Sequence, residues 1–178
     1  MIYESLTCIA EELNEYFRIR LKIPEEKVLL SSIVNPDGTI ALPGENKIAL
    51  TLVNIEKEPS ANKTGLTNSP SVSLTLQVMF VVYFSSNNYS EGLKFLSLII
   101  SFMQQKPVFT RANSPALHEG IEKLSVELET HGLERMNNLW AMIGAKYMPS
   151  ALYRVRMLTY NAEVSREYRP VITGSAME

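Results

Sequence analysis

The feature of this sequence that most restricts the fold is a long run of alternating apolar residues in its middle. From Val72 to Phe84 every second residue is apolar, and the intervening residues of the first half are mostly Ser, Thr and Gln. Successive side chains of a β-strand point to opposite faces, so this pattern predicts a strand. In its second half Met79, Val81 and Tyr83 replace the polar residues, which predicts cover on both faces by this chain or by a partner.

A second strand pattern precedes this one. Residues from Lys47 to Glu56 alternate between apolar and polar, although Val53 and Ile55 make the second face apolar toward the end. The segment Pro59 to Ser71, between the two patterns, is rich in Pro, Ser, Asn, Thr and Gly and has no apolar period. We therefore expect a hairpin with exposed edges and a long connection that is mobile in the isolated subunit.

Three segments carry the apolar spacing of amphipathic helices. The first runs from Ile2 to about Leu21. The second is predicted to start at Asn88, because Glu91 follows at the spacing of a capping box, and to end before Pro107. The third runs from Leu133 to Gly144, where glycine suits the position after the last turn.

Shorter strand patterns complete the predicted elements. They occupy Val28 to Asn35, Val108 to Thr110, Leu124 to Glu129 and Leu152 to Tyr160. Three helices and five or six strands without βαβ alternation predict a single α+β domain over residues 1–160, with a mixed, mainly antiparallel sheet and the helices against one face. Residues 161–178 are predicted to form a polar C-terminal tail that is mobile in the isolated subunit.

Composition excludes several classes of function. The 178 residues include 17 Lys and Arg and 19 Asp and Glu, for a formal charge of -2, so no broad positive field exists for nucleic acid. The longest apolar stretch, Leu93 to Met103, is shorter than the roughly 20 residues of a membrane-spanning helix. No secretory signal precedes the first helix, so we expect synthesis in the cytoplasm. The single cysteine, Cys8, is predicted to be a buried small apolar side chain.

The spacing of the residues indicates neither a metal site nor a catalytic nucleophile. The two histidines, His118 and His131, have no cysteine or second histidine at metal-ligand spacing. Phosphate-loop, dinucleotide-binding and nucleophile-elbow motifs are missing from the sequence. We therefore expect no catalytic residue, no cofactor and no metal, and interpret this protein as not an enzyme.

Two charged groups leave alternatives open. An acidic cluster comprises Glu119, Glu122, Glu127 and Glu129. We interpret it as a solvated face, since Glu127 and Glu129 lie on the polar side of a strand, and a hydrolase that uses Glu122 and Glu127 remains a weak alternative. Arg154 and Arg156 share one face of the last strand and suit either a phosphate or carboxylate ligand, or a Glu of a neighbouring strand or subunit. We favour the pairing with protein carboxylates.

The third helix contains the single tryptophan. We interpret Trp140 as a core anchor in preference to a residue that contacts a partner. If the neighbouring Asn137 and Asn138 are buried, their amides require hydrogen-bond partners, which would make this helix a place for specific contacts.

Five runs of residues together resemble one protein family. They are Gly44–Glu56, Lys94–Thr110, Ile121–Leu124, Asn137–Ser150 and Leu152–Met157. In this order they are similar to the tail-terminator caps of extracellular contractile injection systems, such as the Photorhabdus virulence cassettes and the Serratia antifeeding prophage. The resemblance extends over about residues 2–160.

The resemblance implies a structural role at the end of the particle that lies away from the baseplate. A six-fold ring of this chain would end the inner tube and contact the last sheath layer, in a particle that is later released from the cell. The implied partners are copies of this chain, the tube protein and the sheath protein, without nucleic acid or membrane. The interface candidates that we infer for such a role are Thr51, Val53, Ile55, Val78, Phe80, Val82, Phe84, Arg154 and Arg156. The alternative is a small-ligand or peptide-binding α+β module.

Overall fold

The computed structural model describes residues 1–58 and 73–159. The elements follow in the order α1 (Ile2–Leu21), β1 (Val28–Leu30), β2 (Lys47–Lys57), β3 (Ser73–Tyr83), α2 (Tyr89–Gln105), β4 (Val108–Phe109), β5 (Ile121–Glu129), α3 (Leu133–Ile143) and β6 (Ser150–Thr159). The predicted hairpin connection and the predicted C-terminal tail lie outside the described residues, so their expected mobility stays a prediction. No helix in the described part of the chain has the length and apolar character needed to cross a membrane.

The strands form one six-stranded sheet in the order β1-β2-β3-β6-β5-β4. Only the pair β1 and β2 is parallel, and the other four pairs are antiparallel. The α+β class and the mixed, mainly antiparallel sheet are therefore confirmed. Both edge strands are short, with three residues in β1 and two in β4. The longer β1 predicted from Val28 to Asn35 is wrong, because the chain turns away from the sheet after Leu30.

The first face of the sheet is covered by α1 and α2. Phe17 of α1 meets Phe95 of α2 edge to face, with the ring centroids 5.1 Å apart. Beneath them Phe80 of β3 meets Tyr153 of β6 in the same arrangement at 5.6 Å. These side chains are buried together in the larger of two apolar clusters. The apolar stripe that the sequence predicted for α1 and α2 is therefore used for this core.

The second face of the sheet is covered in part by α3, so the prediction that all helices lie against one face is wrong. Trp140 of α3 is buried with Met79 and Val81 of β3 and Leu152 of β6 in a separate cluster. The physical reason is the two-faced apolar half of β3, which needs cover on both sides. That cover comes from this chain, and Trp140 is the core anchor that the sequence predicted.

The start of α2 differs from the predicted capping box. Asn88 is the residue before the helix, but its side chain makes no capping hydrogen bond. Its amide nitrogen instead donates to the Asn46 side-chain oxygen at 3.2 Å. A 3-10 turn over Ser86–Asn88 leads directly into α2, and Asn46, which has a φ of 65°, bonds to this turn from the start of β2. The side chain of Asn88 thus joins α2 to β2.

Gly92 lets α2 lie close to β3. A Cβ at this position would stand 2.6 Å from Cγ1 of Val82 and 3.1 Å from Cγ of Phe84. We expect Gly92→Ala to lower the free energy of unfolding by about 1–3 kcal/mol, although alanine is the better helix former by about 1 kcal/mol. Chemical denaturation measures the change, with Gly132→Ala as the control because no atom lies within 4 Å of its added Cβ. Equal stability of the two variants would contradict the close approach.

Candidate assembly interface at the open edge of the sheet

The outer edge of β2 is only partly covered. Strand β1 pairs with Ile48 to Leu50, and the last backbone hydrogen bond to this edge runs from Ser31 N to Leu50 O at 3.2 Å. From Thr51 to Lys57 no strand among the described residues pairs with the outer side. An uncovered strand edge presents rows of unpaired donors and acceptors to other chains. This half of β2 is the open edge.

A β-bulge decides which backbone groups the open edge presents. The pairing of β2 with β3 shifts by one residue between Leu52 and Asn54. Before the bulge the backbone of Leu50 points outward to β1, whereas beyond it Glu58 N donates inward to Ser73 O. Since inward and outward groups alternate along an antiparallel strand, Ile55 and Lys57 present their N–H and C=O groups outward.

Two exposed apolar side chains lie at the open edge. Leu52 is 36% exposed and Ile55 is 46% exposed. Their partners on β3 are Val78 and Leu76, which face α1 and α2, so both side chains extend the first face of the sheet. The sequence singled out Ile55 but missed Leu52, which has the alternating pattern of an ordinary core position.

The other two predicted β2 residues point toward the opposite face. Val53, in the bulge, is half-buried and packs against the cluster of Trp140 and Leu152. Thr51 is also half-buried and is paired with Met79 of that cluster. The structure thus brings Thr51 and Val53 to the α3 side of the edge and Ile55 to the side of α1 and α2.

Three of the proposed contact side chains on β3 lie in the core. Val78, Phe80 and Val82 are buried under α1 and α2. The alternating pattern showed that they share a face, but that face is turned toward the helices of this chain, so their side chains are not available to a partner. Phe84, beyond the end of β3, is half-buried and contacts Phe95, with 5.6 Å between the ring centroids.

The two arginines of β6 pair with carboxylates of this chain, in agreement with the favoured pairing with protein carboxylates: Arg154 with Glu129 of the neighbouring β5, and Arg156 with Glu58, which follows β2. Arg156 Nε lies 3.2 Å from Glu58 Oε1, and its side chain is 54% exposed. Hydroxyl donors from Thr75 and Ser73 lower the pKa of Glu58, so this carboxylate stays charged beside the guanidinium. Arg156 remains accessible for a further contact.

The partner of Arg154 is buried. Arg154 forms an ion pair and hydrogen bond with Oε1 of Glu129, whose side chain is only 7% exposed. The interpretation of Glu129 as part of a solvated face is therefore wrong, because its side chain is buried where it pairs with Arg154 of the adjacent strand. Glu127, on the same strand face, is exposed as predicted. The sequence could not show the pairing, since 25 positions separate the two partners.

A cleft of about 210 Å³ lies between α3 and the second face of the sheet. It is lined by Val53, Gln77, His131, Arg135, Asn138, Leu139, Met142 and Leu152. His131 Nε2 stands 3.7 Å from the second carboxylate oxygen of Glu129. The side chains of Asn137 and Asn138 are exposed, so their amides need no buried partner. The cleft offers one exposed cation, Arg135, beside apolar walls.

Neither histidine joins a group of potential metal ligands. Within residues 1–58 and 73–159, no three His, Cys, Asp or Glu side chains cluster in a way that could hold a metal ion. His118 Nδ1 accepts a hydrogen bond from the backbone N–H of Gly120 at 3.0 Å, which fits a structural turn. The arrangement is thus one of contact surfaces and ion pairs, with an open strand edge as its most distinctive feature.

A model of the Pvc16 N-terminal domain matches residues 6–174. The chain belongs to this family. The match spans nearly the whole sequence and confirms the resemblance noted from the five runs. No curated protein sequence matches the chain significantly.

Two solved structures with this fold come from contractile injection particles. The sheath/tube terminator of the PVC extracellular contractile injection system, in its extended state, superposes with a TM-score of 0.64 at 10% identity, over 100% of this chain and 63% of that one. The tube-terminating cap of the anti-feeding prophage gives 0.52 at 14% identity, over 94% of this chain and 60% of that one. The present chain thus spans about three fifths of the length of each of these two proteins. The structural similarity confirms a tail-terminator-like fold.

Proposed function

We propose that this chain is a structural cap that terminates the tube of a contractile injection system. The observation that carries the proposal is the family match over residues 6–174, with support from the shared fold of the PVC terminator and the anti-feeding prophage cap. In this role copies of the chain form a six-fold ring at the end distal to the baseplate. The ring ends the inner tube and contacts the last sheath layer.

Symmetry explains how such a ring stops growth. A growing tube ends in a ring of unfilled subunit-binding surfaces, and a protein with the same rotational symmetry occupies all of them at once. If the opposite side of the ring lacks a matching surface, no further subunit adds. This role requires no catalysis, cofactor or metal, and it involves neither nucleic acid nor membrane. The chain is made in the cytoplasm and leaves the cell as part of the particle.

The geometry of the sheet supports some of the candidate contacts over others. Thr51, Val53 and Ile55 belong to the open edge, which suits a sheet that continues across a subunit boundary. Arg156 adds an exposed guanidinium beside Glu58, which follows β2, and the half-buried Phe84 follows the end of β3. Val78 pairs with Leu52 at the start of this edge, whereas Phe80 and Val82 pair with the half of β2 that β1 covers.

Deleting this chain from its particle system tests the proposal. We expect tube and sheath proteins to be made at normal levels, while electron microscopy shows particles with irregular or unstable ends, because the last tube layer keeps its unpaired surfaces. Supplying the wild-type chain should restore regular ends. Supplying Ile55→Asp should restore few of them, whereas the matched Ile55→Val variant should act as wild type. Regular ends in the deletion strain would refute the cap function.

A further inference from the structure

We propose that the open edge of β2 binds an extended segment of a partner protein as an added strand, and that the cleft beside α3 accepts an acidic side chain of that segment. The binding chemistry comes from residues of this chain, and only the identity of the partner as a particle component rests on the proposed function. The predicted segment is apolar, acidic and apolar at three successive positions.

The backbone of the open edge is poised for strand addition. The N–H and C=O groups of Ile55 and Lys57 point outward, and no strand of the described residues meets them. Exposed edges are usually protected by charges, bulges or proline. At the opposite edge of the sheet β4 covers only two residues of β5, and the uncovered part of β5 carries the exposed charge of Glu127. The open edge also has a bulge and the exposed charges of Glu56 and Lys57, but beside them it carries the exposed apolar side chains of Leu52 and Ile55.

Alternation of the added strand divides its side chains between two environments. One set would lie beside Leu52 and Ile55 on the first face, where apolar side chains are favoured. The set between them would lie on the second face, where Val53 is both a bulge residue of β2 and a wall of the cleft. The bulge thus links strand addition at the edge to a side-chain pocket.

The charge of the cleft selects an acidic side chain. Arg135 lines the cleft and, unlike Arg154 and Arg156, has no carboxylate partner within 4 Å among the described residues. A carboxylate that enters here gains charge-assisted hydrogen bonds from the guanidinium. Further along β2 the exposed Glu56 lies on the same face and would repel a second acid. The acidic residue is therefore specified at the level of Val53.

Peptide binding to the full chain tests the inference. The probe is a fluorescent nonapeptide, Lys-Val-Thr-Val-Glu-Val-Thr-Val-Lys, and its control replaces the central Glu by Gln. We expect the Glu peptide to bind about tenfold more tightly in fluorescence anisotropy. The variant Arg135→Gln should abolish this preference, whereas Arg111→Gln, which removes an exposed charge elsewhere, should retain it.

A proline substitution tests whether backbone hydrogen bonds of the open edge hold the peptide. Lys57→Pro removes an outward N–H without touching the hydrogen bonds to β3, so it should weaken both peptides about fivefold, whereas Lys57→Ala should not. Circular dichroism checks that the variants are folded. If the proline variant does not fold, an N-methyl group on the peptide backbone removes the same bonds from the other side and should cause the same loss.

Four outcomes of the peptide-binding measurements would overturn the inference. They are no binding of either peptide, equal binding of both, a Glu preference that persists in Arg135→Gln, and binding that appears only after residues 160–178 are removed. The last outcome would assign the edge to this chain's own segment. Self-association that Lys57→Pro abolishes would assign it to a second copy and would equally overturn the partner strand. Regular particle ends without this chain would refute the cap function but leave the peptide result intact.

Discussion

Replacing Phe80 by alanine is expected to lower the free energy of unfolding by about 3–5 kcal/mol. The side chain of Phe80 is fully buried between the sheet and the helices. Its ring meets that of Tyr153 edge to face, with an interplanar angle of 86°. Truncation removes this contact and leaves a cavity in a core held by α1 and α2 on one side. Urea denaturation, followed by circular dichroism, measures the loss.

The matched control lies on the same hairpin. Ile55→Ala removes an aliphatic side chain that is about half exposed, so we expect a loss of less than about 1 kcal/mol. The two variants should therefore separate stability from assembly: Phe80→Ala weakens folding, and Ile55→Ala leaves folding nearly intact while weakening contacts at the open edge. A small change for Phe80→Ala would contradict its place in the core.

The alternating pattern of β3 predicted the strand and its two-sided cover, but not which face would meet which helix. Val78 and Met79, for example, are both apolar and adjacent in the strand, so their side chains point to opposite faces of the sheet. The pattern does not show which helix covers each face. The stripe of α3 likewise identifies Trp140 as an anchor but does not choose a face. That choice depends on contacts between α3 and β3, which lie more than 50 positions apart in the sequence.

The bulge in β2 shows a second limit. After Leu50 and Leu52 the apolar positions change from even to odd, at Val53 and Ile55. A uniform strand whose second face becomes apolar has the same sequence pattern as a strand with one extra residue. The sequence alone could not distinguish the two, and we interpreted the run as a uniform strand. In the structure the bulge returns Ile55 to the face of Leu52. The open edge thus contains an exposed apolar pair that the sequence showed only in part.

The family resemblance is confirmed, whereas the interface candidates stay a proposal. Five runs of residues carried the resemblance, whereas the interface candidates came from strand patterns. Of these candidates, Ile55 is exposed at an open edge, and Phe80 is buried in the core. The pattern of a strand reports which side chains share a face, and exposure depends on what packs against that face. Alternation in the sequence therefore shows which side chains share a face, but not which of them are exposed.

Replacing Arg154 by glutamate is expected to lower the free energy of unfolding by about 3 kcal/mol. Arg154 is 35% exposed, but its partner Glu129 is almost fully buried, so the substitution leaves a buried carboxylate without its cation and adds a second negative charge. Arg156→Glu should cost about 1 kcal/mol or less, because both Arg156 and its partner Glu58 are accessible to water. Thermal and urea denaturation of the two single variants measure the difference.

A rescue variant separates the ion pair from a general effect of charge. Adding Glu129→Leu to Arg154→Leu replaces the pair by apolar side chains, and we expect this double variant to recover most of the stability that Arg154→Leu alone loses. With folding restored, the double variant also reports on assembly: regular particle ends would assign Arg154 to the structure of the subunit alone, and irregular ends would give its guanidinium a contact in the ring. Equal stability of Arg154→Glu and Arg156→Glu would contradict the buried pair, because only one of the two carboxylate partners is shielded from solvent.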